Sequence, residues 1–594
     1  MEAGEVSVLI GGKAGEGISS AGQVIARLLG QLGYRVHMYF DYPSLIKGGH
    51  NFAIIRGAGQ QIGAVRNRVD LILALDQETL RAHEGRLSEG GVVVFNSDTA
   101  RYPPGIGIPV KAILSAEQAP PVMGNSAIIG AFTRAAGIEW ALAEQVFGRA
   151  FRKGTAMNLR IARAGYEASE ERLLIPPLGK PPLPAFTGNE AMGIGLVEAG
   201  LGVYLSYPMS PTSNLMHFLA ARAGAGGMGV RVIQPESEIA VILMALGCAY
   251  AGTRAAVGTS GGGFSLMVEA LGLAGMAELP AVIVLGQRAG PSTGLATYTA
   301  QADLGFAIHA GHGEFPRLVL APGDADEARA WIRVAMDLAW KYQLPAIFLP
   351  DRTLCEGMYS LDPSPAVEHQ AGPVLADPGT LHQRGPYPPG RSRLRPEGPL
   401  PPWTTPPPSE ASLPAGPGIH PYLRYALTDS GISPLRFPPA KGELVRVNSH
   451  AHDPDGTTTE DPGMTRAMAE KRQRKMAGLA RELGRMNPVN IAGNPDARTA
   501  VLCWGSNKGV CGELGEKLGL RVVQPVALWP FPEESFAEAM DGVDRFYGVE
   551  TNETGQLADL VRGYGYRAAD MVLKYDGRPF MVDELAQELR RVMA

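Results

Sequence analysis

The chain has 594 residues, a formal net charge of −5 and four cysteines. That length exceeds what one hydrophobic core usually serves, so three or four domains are expected. The near-balanced charge excludes a general affinity for polyanions, nucleic acid included, and the scattered Cys248, Cys355, Cys503 and Cys511 form no C-x-x-C pair that would hold zinc or an iron–sulfur cluster on this chain alone.

The opening residues, MEAGEVSVLIGGKAG, lack the basic head and long apolar run of a secretory signal. A strand at Val6 to Ile10, a glycine turn and a helix from Ile18 to Leu32 predict a βα unit. Strands at Tyr34 to Tyr39, Asn51 to Arg56, Leu71 to Ala74 and Gly91 to Phe95 follow, and PPLGKPPLPAF closes a first α/β domain over residues 1–185. Over 186–365, strands at Val203 to Ser206, Ala255 to Thr259, Ala281 to Leu285 and Ala346 to Leu349 alternate with helices, which predicts a parallel, doubly wound sheet. The most apolar helix, Ile239 to Gly252, is too short to span a bilayer, so no membrane partner is expected. Cysteine usage suits a cytoplasmic location.

Residues 366–495 read as a connection. Within 371–420, 14 of 50 positions are proline, a composition that builds extended polyproline-like chain and no packed core. Met464 to Met486 then predicts a basic amphipathic helix with Met468, Met476, Leu479 and Leu483 on its apolar side; packing by that face is the commoner reason for such a pattern than nucleic-acid binding. Strands at Thr499 to Cys503, Arg521 to Gln524 and Asp544 to Val549 predict a third α/β domain over 496–594. The fold class is therefore α/β and multi-domain, with parallel doubly wound sheets.

The chemistry-bearing residues cluster between Tyr207 and Asp303. In ESEIAVILMALGCAYAG an acidic pair, Glu236 and Glu238, opens a helix apolar on nearly every face, which puts a carboxyl at the edge of a dry interior, where such a group tends to keep its proton. The competing reading is an ordinary first-turn acid favoured by the helix dipole. Arg288 follows a buried-strand pattern, at the edge where open α/β sheets place ligands, and a guanidinium fork suits a carboxylate; a salt bridge to Glu269 or Asp303 is the structural alternative. TSGGGF (Thr259 to Phe264) is a glycine-rich turn that lets a ring approach backbone closely. In the first domain GGKAGEG, with Gly12, Gly15 and Gly17, lies between strand and helix, where backbone amides meet phosphates.

Together, YPMSPT (Tyr207 to Thr212), the ESE helix, the TSGGG turn, Arg288 with GPSTG and the Q-x-D step resemble the α subunit of the 2-oxoacid:ferredoxin oxidoreductases, thiamine diphosphate enzymes that oxidatively decarboxylate 2-oxoacids onto coenzyme A. GNEAMGIG, YALTDSGISP, TEDPGMTRAMAEKRQRK and ETNETGQL extend the likeness nearly end to end. The resemblance implies a γ domain, a pyrimidine-binding thiamine domain and a transketolase C-terminal-like domain. It implies Glu238 as the acid on the pyrimidine nitrogen and Arg288 as the carboxylate ligand, with Ser210, Thr212, Ser292 and Thr293 around the substrate. Tyr207, Pro208, Thr259, Ser260, Gly261 and Gly262 would line the thiamine side, and Gly12, Gly15 and Gly17 the coenzyme A side.

Lys47, in IKGGHN, is the residue that would favour 2-oxoglutarate over pyruvate, branched-chain or indolepyruvate substrates. Ser210 stands where the family has threonine, Met209 where it has isoleucine, and Ala296 where it has proline, which bears on the rigidity of that loop. No GDG occurs in the chain, so a β subunit is expected to bring Mg²⁺, the diphosphate site and a [4Fe–4S] cluster, with ferredoxin as electron acceptor and a dimer of αβ heterodimers as the assembly. No metal site is expected on this chain. A non-catalytic coenzyme A- or nucleotide-binding α/β protein is the alternative from another class.

Overall fold

The computed structural model describes residues 4–43, 49–150, 154–223, 229–362, 373–375, 420–439 and 443–594. Nearly all of the proline-rich 371–420 stretch lies outside them, as does Lys47.

The first sheet has eight strands in the order Ile106–Ile108, Leu87–Asn96, Val69–Ala74, Glu5–Lys13, His50–Ala58, Arg35–Asp41, Met358–Ser360, Ala185–Thr187. It is parallel from Ile106–Ile108 to Glu5–Lys13 and antiparallel from there on. This sheet departs from the all-parallel pattern because the connection between Arg35–Asp41 and His50–Ala58 is far too short for the crossover that parallel neighbours need.

The second sheet runs Ala527–Trp529, Leu318–Leu320, Pro345–Phe348, Ala281–Leu285, Ala255–Thr259, Val203–Leu205, Arg231–Ile233. All its pairs are parallel except that of Ala527–Trp529. Strands such as Ala255–Thr259 and Ala281–Leu285 are buried at every position, as a sheet covered by helices on both faces requires. The chain runs outward from Val203–Leu205 to Arg231–Ile233 and returns to Ala255–Thr259 on the other side. The strand order therefore reverses between Val203–Leu205 and Ala255–Thr259, opening the crevice where doubly wound sheets bind ligands.

The third sheet, in the order Val489–Gly493, Arg521–Pro525, Thr499–Cys503, Arg545–Glu550, Asp570–Leu573, is parallel but for its Val489–Gly493 edge. The three units exchange strands: Met358–Ser360 completes the first sheet and Ala527–Trp529 the second. Arg56 of the first sheet is buried, and its guanidinium donates to both oxygens of Glu513 in the third unit, at 2.6 and 2.8 Å. Among the described residues no helix is long and apolar enough to cross a membrane.

The basic helix spans Pro462–Gly484, opened by proline at its first turn and capped by Asp461, which accepts from the Met464 amide at 2.7 Å. Met468, Leu479 and Leu483 are buried as their spacing predicts. So are Lys471 and Lys475, both of which donate to the buried carboxylate of Glu278 at 2.7 Å. Arg424 joins them through the Glu278 carbonyl at 2.6 Å. Burial alone would raise the Glu278 carboxyl, but the three cations outweigh it and hold it well below the usual carboxylate range. Burial pushes Lys471 down to about 7.

Replacing the Glu278 carboxylate by an amide, Glu278→Gln, leaves two ammonium groups buried without a counter-charge, and the expected loss is about 3–5 kcal/mol of stability, read as a lower thermal midpoint. Because the folded carboxyl titrates below its ordinary value of 4.5, its share of stability is present at neutral pH and is lost as the pH falls through the acid range. Glu278→Gln should therefore narrow the stability difference between neutral and acid pH.

Candidate functional site

The crevice at the strand-order reversal is built from the ends of two strands. Ser206 Oγ donates to the Gly258 carbonyl at 2.8 Å and ties them together. Beyond it the loop is pinned by Asn189 Nδ2 on the Pro211 carbonyl at 3.0 Å and by Thr212, buried, whose hydroxyl donates to the Met209 carbonyl at 3.1 Å. The Thr212 hydroxyl is thus engaged within the loop. Tyr207 and Pro208 are exposed at the rim, and Ser210 is half-buried.

Ser237 caps the ESE helix, which spans Glu238–Tyr250. Glu236 stands before the cap and is exposed, so only the second acid of the pair opens the helix. Glu238 is 5% exposed, and its carboxyl makes no hydrogen bond or ion pair among the described residues. It packs on the glycine turn: a Cβ on Gly263 would lie 2.2 Å from Thr259 Oγ1, 2.7 Å from Glu238 Cγ and 2.8 Å from its Oε1. Only glycine permits that approach. The hydroxyl of Ser260, beside the same turn, is buried with no hydrogen-bond partner among the described residues. An unpaired acid with little exposure and an orphaned buried hydroxyl beside a side-chain-free turn fit a flat heterocycle carrying hydrogen-bonding nitrogens.

Arg288 lies on the neighbouring strand end, half-buried. Of its donors, Nη1 reaches the Ser210 carbonyl at 3.1 Å, which leaves most of the fork open. Burial lowers its pKa, and Asp303 opposes that. No ion pair joins Arg288 to Asp303 or to the exposed Glu269 among the described residues. Burial raises Asp303 to about 6, with Arg288 pulling the other way. Ser292 and Thr293 are exposed on the loop that follows. That loop is clasped by backbone bonds from Leu295 to Ala289 at 2.8 Å and from Ala289 to Tyr298 at 3.2 Å, so its shape does not require a proline at Ala296.

The ETNETGQL segment takes a structural part and anchors this side of the crevice. Gln301 is fully buried; its Oε1 accepts from Asn507 and the Thr551 amide at 2.8 and 3.1 Å, and its carbonyl accepts from Asn552 at 3.0 Å. Gln556 brackets the next turn, donating to the Ala302 carbonyl at 2.8 Å and accepting from the Gly305 amide at 3.0 Å. The signal was present in the polar E-T-N-E-T-G-Q run, but its partners lie some 250 residues upstream.

Gly12 is inside the strand Glu5–Lys13, and only Gly15 and Gly17 take left-handed conformations in the turn. The Lys13 amide donates to the Glu16 carboxylate at 2.7 Å, the Ala14 amide to the Gly49 carbonyl and the Glu16 amide to the Lys13 carbonyl. The amides of Lys13, Ala14 and Glu16 are thus occupied by the protein's own acceptors, which leaves Gly15 and Gly17 as the glycines of the turn that could meet a ligand. Beside it lies a cavity of about 510 Å³ lined by Glu16, Asn96, Asp98, Thr99, Lys111 and Asn125 among others.

One face near the crevice is unusually apolar. The helices Glu238–Tyr250 and Gly261–Met276 pack on each other, and Ile239, Leu243, Met244 and Leu266 remain 40–50% exposed on them.

A family model described as pyruvate flavodoxin/ferredoxin oxidoreductase, thiamine diP-bdg, matches residues 194–400, and one described as pyruvate ferredoxin/flavodoxin oxidoreductase matches residues 7–168. The chain is 30% identical to 2-oxoacid:ferredoxin oxidoreductase 2, subunit alpha, of Aeropyrum pernix, over 99% of this chain and 98% of that protein. It is 28% identical to 2-oxoglutarate oxidoreductase subunit KorA of Mycobacterium tuberculosis, over 99% of this chain and 92% of the relative. Among solved structures, 2-oxoglutarate:ferredoxin oxidoreductase from Magnetococcus marinus, with 2-oxoglutarate, coenzyme A and succinyl-CoA bound, shares the fold end to end: TM-score 0.82, 24% identity, 100% of both chains.

The Gly263 contact is open to a stability test. Gly263→Ala should overpack the turn and cost about 1–3 kcal/mol. Gly262→Ala, whose Cβ would meet nothing within 4 Å, should be neutral or slightly stabilising in thermal unfolding. Equal midpoints for the two variants would contradict the packing described.

Proposed function

The chain belongs to the 2-oxoacid:ferredoxin oxidoreductase α subunits, and on that premise we propose that it forms the pyrimidine side of a thiamine diphosphate site shared with a β subunit. The proposed reaction is the oxidative decarboxylation of 2-oxoglutarate to succinyl-CoA and CO₂ with reduction of ferredoxin. The observation that carries it is the buried, unpartnered carboxyl of Glu238 against the Gly263 turn. When bound, thiamine diphosphate supplies the carbon nucleophile and electron sink that 2-oxoacid decarboxylation needs.

Each residue's part follows from its place. Glu238 would hold the pyrimidine ring nitrogen by a hydrogen bond, and Thr259, Ser260, Gly261 and Gly262 would bound the ring from the turn side, with Tyr207 and Pro208 at the rim. Arg288 receives the substrate carboxylate on its open donors, with Ser210, Ser292 and Thr293 about it, while Thr212, buried with its hydroxyl on the Met209 carbonyl, shapes the loop from behind. Because the guanidinium is half-desolvated, its bond to an anion is stronger than at the surface.

Support for 2-oxoglutarate comes from the first domain. The strand Arg35–Asp41 ends at Asp41, 3.8 Å from Arg578, whose guanidinium covers the Tyr298 ring at 4.4 Å in the loop after Arg288. Lys47, outside the described residues, is proposed as the cation for the far carboxylate on the family resemblance of its IKGGHN segment. Relatives named for 2-oxoacids in general favour the second reading, a broad 2-oxoacid range. For coenzyme A, we assign the cavity beside Gly15 and Gly17 as the seat of the nucleotide end, since it lies at the carboxyl ends of the parallel strands and carries both Lys111 and hydrogen-bonding amides.

The β subunit would dock on the exposed Ile239, Leu243, Met244 and Leu266 face, which a chain working alone would leave in water. It would bring Mg²⁺, the diphosphate site and a [4Fe–4S] cluster, passing electrons to ferredoxin in a dimer of αβ heterodimers. A cytoplasmic setting suits these partners.

Reconstituting the chain with its co-purifying β subunit, thiamine diphosphate, Mg²⁺, coenzyme A and a redox dye tests the reading. Glu238→Gln should lower kcat by about 10²–10⁴-fold; near-normal rates would refute the assignment. Lys47→Ala should weaken kcat/KM for 2-oxoglutarate by about 10–100-fold, the worth of one charge-assisted bond, and leave pyruvate turnover nearly unchanged. Equal effects on both substrates would instead support the broad range.

A further inference from the structure

Asp303 is the one acid of the crevice that the reading above leaves without a task, and its placement is specific. It is the N-cap residue of the helix Leu304–His309, yet its side chain makes no capping bond. The carboxylate instead turns to the glycine turn, where a Cβ on Gly261 would lie 3.1 Å from Oδ1 and 3.2 Å from Oδ2. Its amide donates to Gln287 Oε1 at 3.1 Å, and Gln287 is the residue before Arg288. Behind it, Asn552 and Gln556 hold the carbonyls of Gln301 and Ala302. The carboxyl is therefore fixed in the crevice by bonds to its own backbone, with its oxygens free of hydrogen bonds among the described residues.

Arg288 and Asp303 thus share one half-dry crevice, close enough to act on each other electrostatically but not in ion-pair contact. We propose that Asp303 takes up a proton when a 2-oxoacid carboxylate binds Arg288, so that substrate binding and protonation of Asp303 are one coupled event. This rests on the assignment of Arg288 as the carboxylate ligand.

The physical reason is charge. A carboxylate on the open donors of Arg288 would put a second anion beside Asp303, with one arginine between them, and two such anions in a desolvated site cannot both stay ionised cheaply. The other groups facing Asp303 do not supply a further cation. Arg288 is the charged side chain that acts on Asp303; the first turn of Gly261–Met276 brings only glycine amides, whose partial positive charge favours an anion in the free site, and the third domain brings the uncharged Asn552 and Gln556, with the Glu550 carboxylate behind Asn552. Burial has already brought Asp303 up to about 6, so near neutral pH it is ionised in the free site and within easy reach of protonation. The proton comes from solvent and is held on an Asp303 oxygen. When the carboxylate departs as CO₂, the electron pair of the broken carbon–carbon bond stays on the remaining substrate carbon, the anion on Arg288 is gone, and Asp303 returns its proton to solvent. Asp303 is in this sense a positioning residue for Arg288.

Titration calorimetry of the assembled αβ complex with oxamate, a 2-oxoacid mimic that cannot decarboxylate, tests the coupling. Measured at pH 7.5 in buffers of differing ionisation heat, the native complex should take up about one proton per oxamate, and its Kd should weaken by up to about tenfold per pH unit above pH 7. Asp303→Asn should abolish the uptake and flatten the pH dependence, while Asp303→Glu, which keeps a carboxyl, should restore both; this second variant covers the case in which the amide disturbs the fold. No uptake by the native complex, or unchanged uptake in Asp303→Asn, would overturn the proposal. If Arg288→Ala binds oxamate as tightly as the native complex, the carboxylate lies elsewhere and the site reading falls with it. If Arg288→Ala loses binding while Asp303→Asn keeps the native uptake, the Asp303 proposal alone falls.

Discussion

The close approach of Glu238, 5% exposed, to a turn that only glycine permits is the constraint around which this crevice is arranged. Folding creates it by running an apolar helix, Glu238–Tyr250, into the strand-order reversal of a parallel sheet. Gly263 allows the acid to approach Thr259, and the Ser260 hydroxyl lies unmet nearby. On the proposed reading, a ligand of matching shape would satisfy these groups, and the fold would have prepared the site for it.

Much of the remaining structure serves to hold that crevice still. The third domain reaches the first through Arg56 and Glu513 and the second through Gln301, Thr551, Asn552 and Gln556. Because these groups are buried and mutually satisfied, displacing any one strands the others, and the network fixes relative position more than it adds stability. The loop carrying Arg288 thereby inherits the rigidity of a unit far away in sequence. The helix Pro462–Gly484 is fastened in the same way, by Glu278.

What could be read from the sequence divides along physical lines. Strands such as Ala255–Thr259 and Ala281–Leu285 were legible because they are buried on both faces and written as unbroken apolar runs. The motif residues from Tyr207 to Arg288 were legible as a set because they sit at successive strand ends, and the fold brings Ser210, Arg288, Glu238 and the Thr259–Gly263 turn together. The strands Met358–Ser360 and Ala185–Thr187 were not, for three residues carry no period and their pairing is decided by distant chain. Lys471 and Lys475 read as a solvated stripe, since nothing local announces Glu278 almost two hundred residues away. The glycine string of the first domain read as a phosphate turn, and what its sequence does not announce is that the Glu16 carboxylate takes the Lys13 amide for itself.

The central claim is a contact across two polypeptides, and it is tested most directly by the structure of the assembled αβ complex with thiamine diphosphate bound. The account predicts a Glu238 carboxyl oxygen about 2.5–3.0 Å from the pyrimidine ring nitrogen, with the diphosphate held by the β subunit. A Glu238 side chain turned into bulk water, or a cofactor held wholly within either polypeptide, would contradict it.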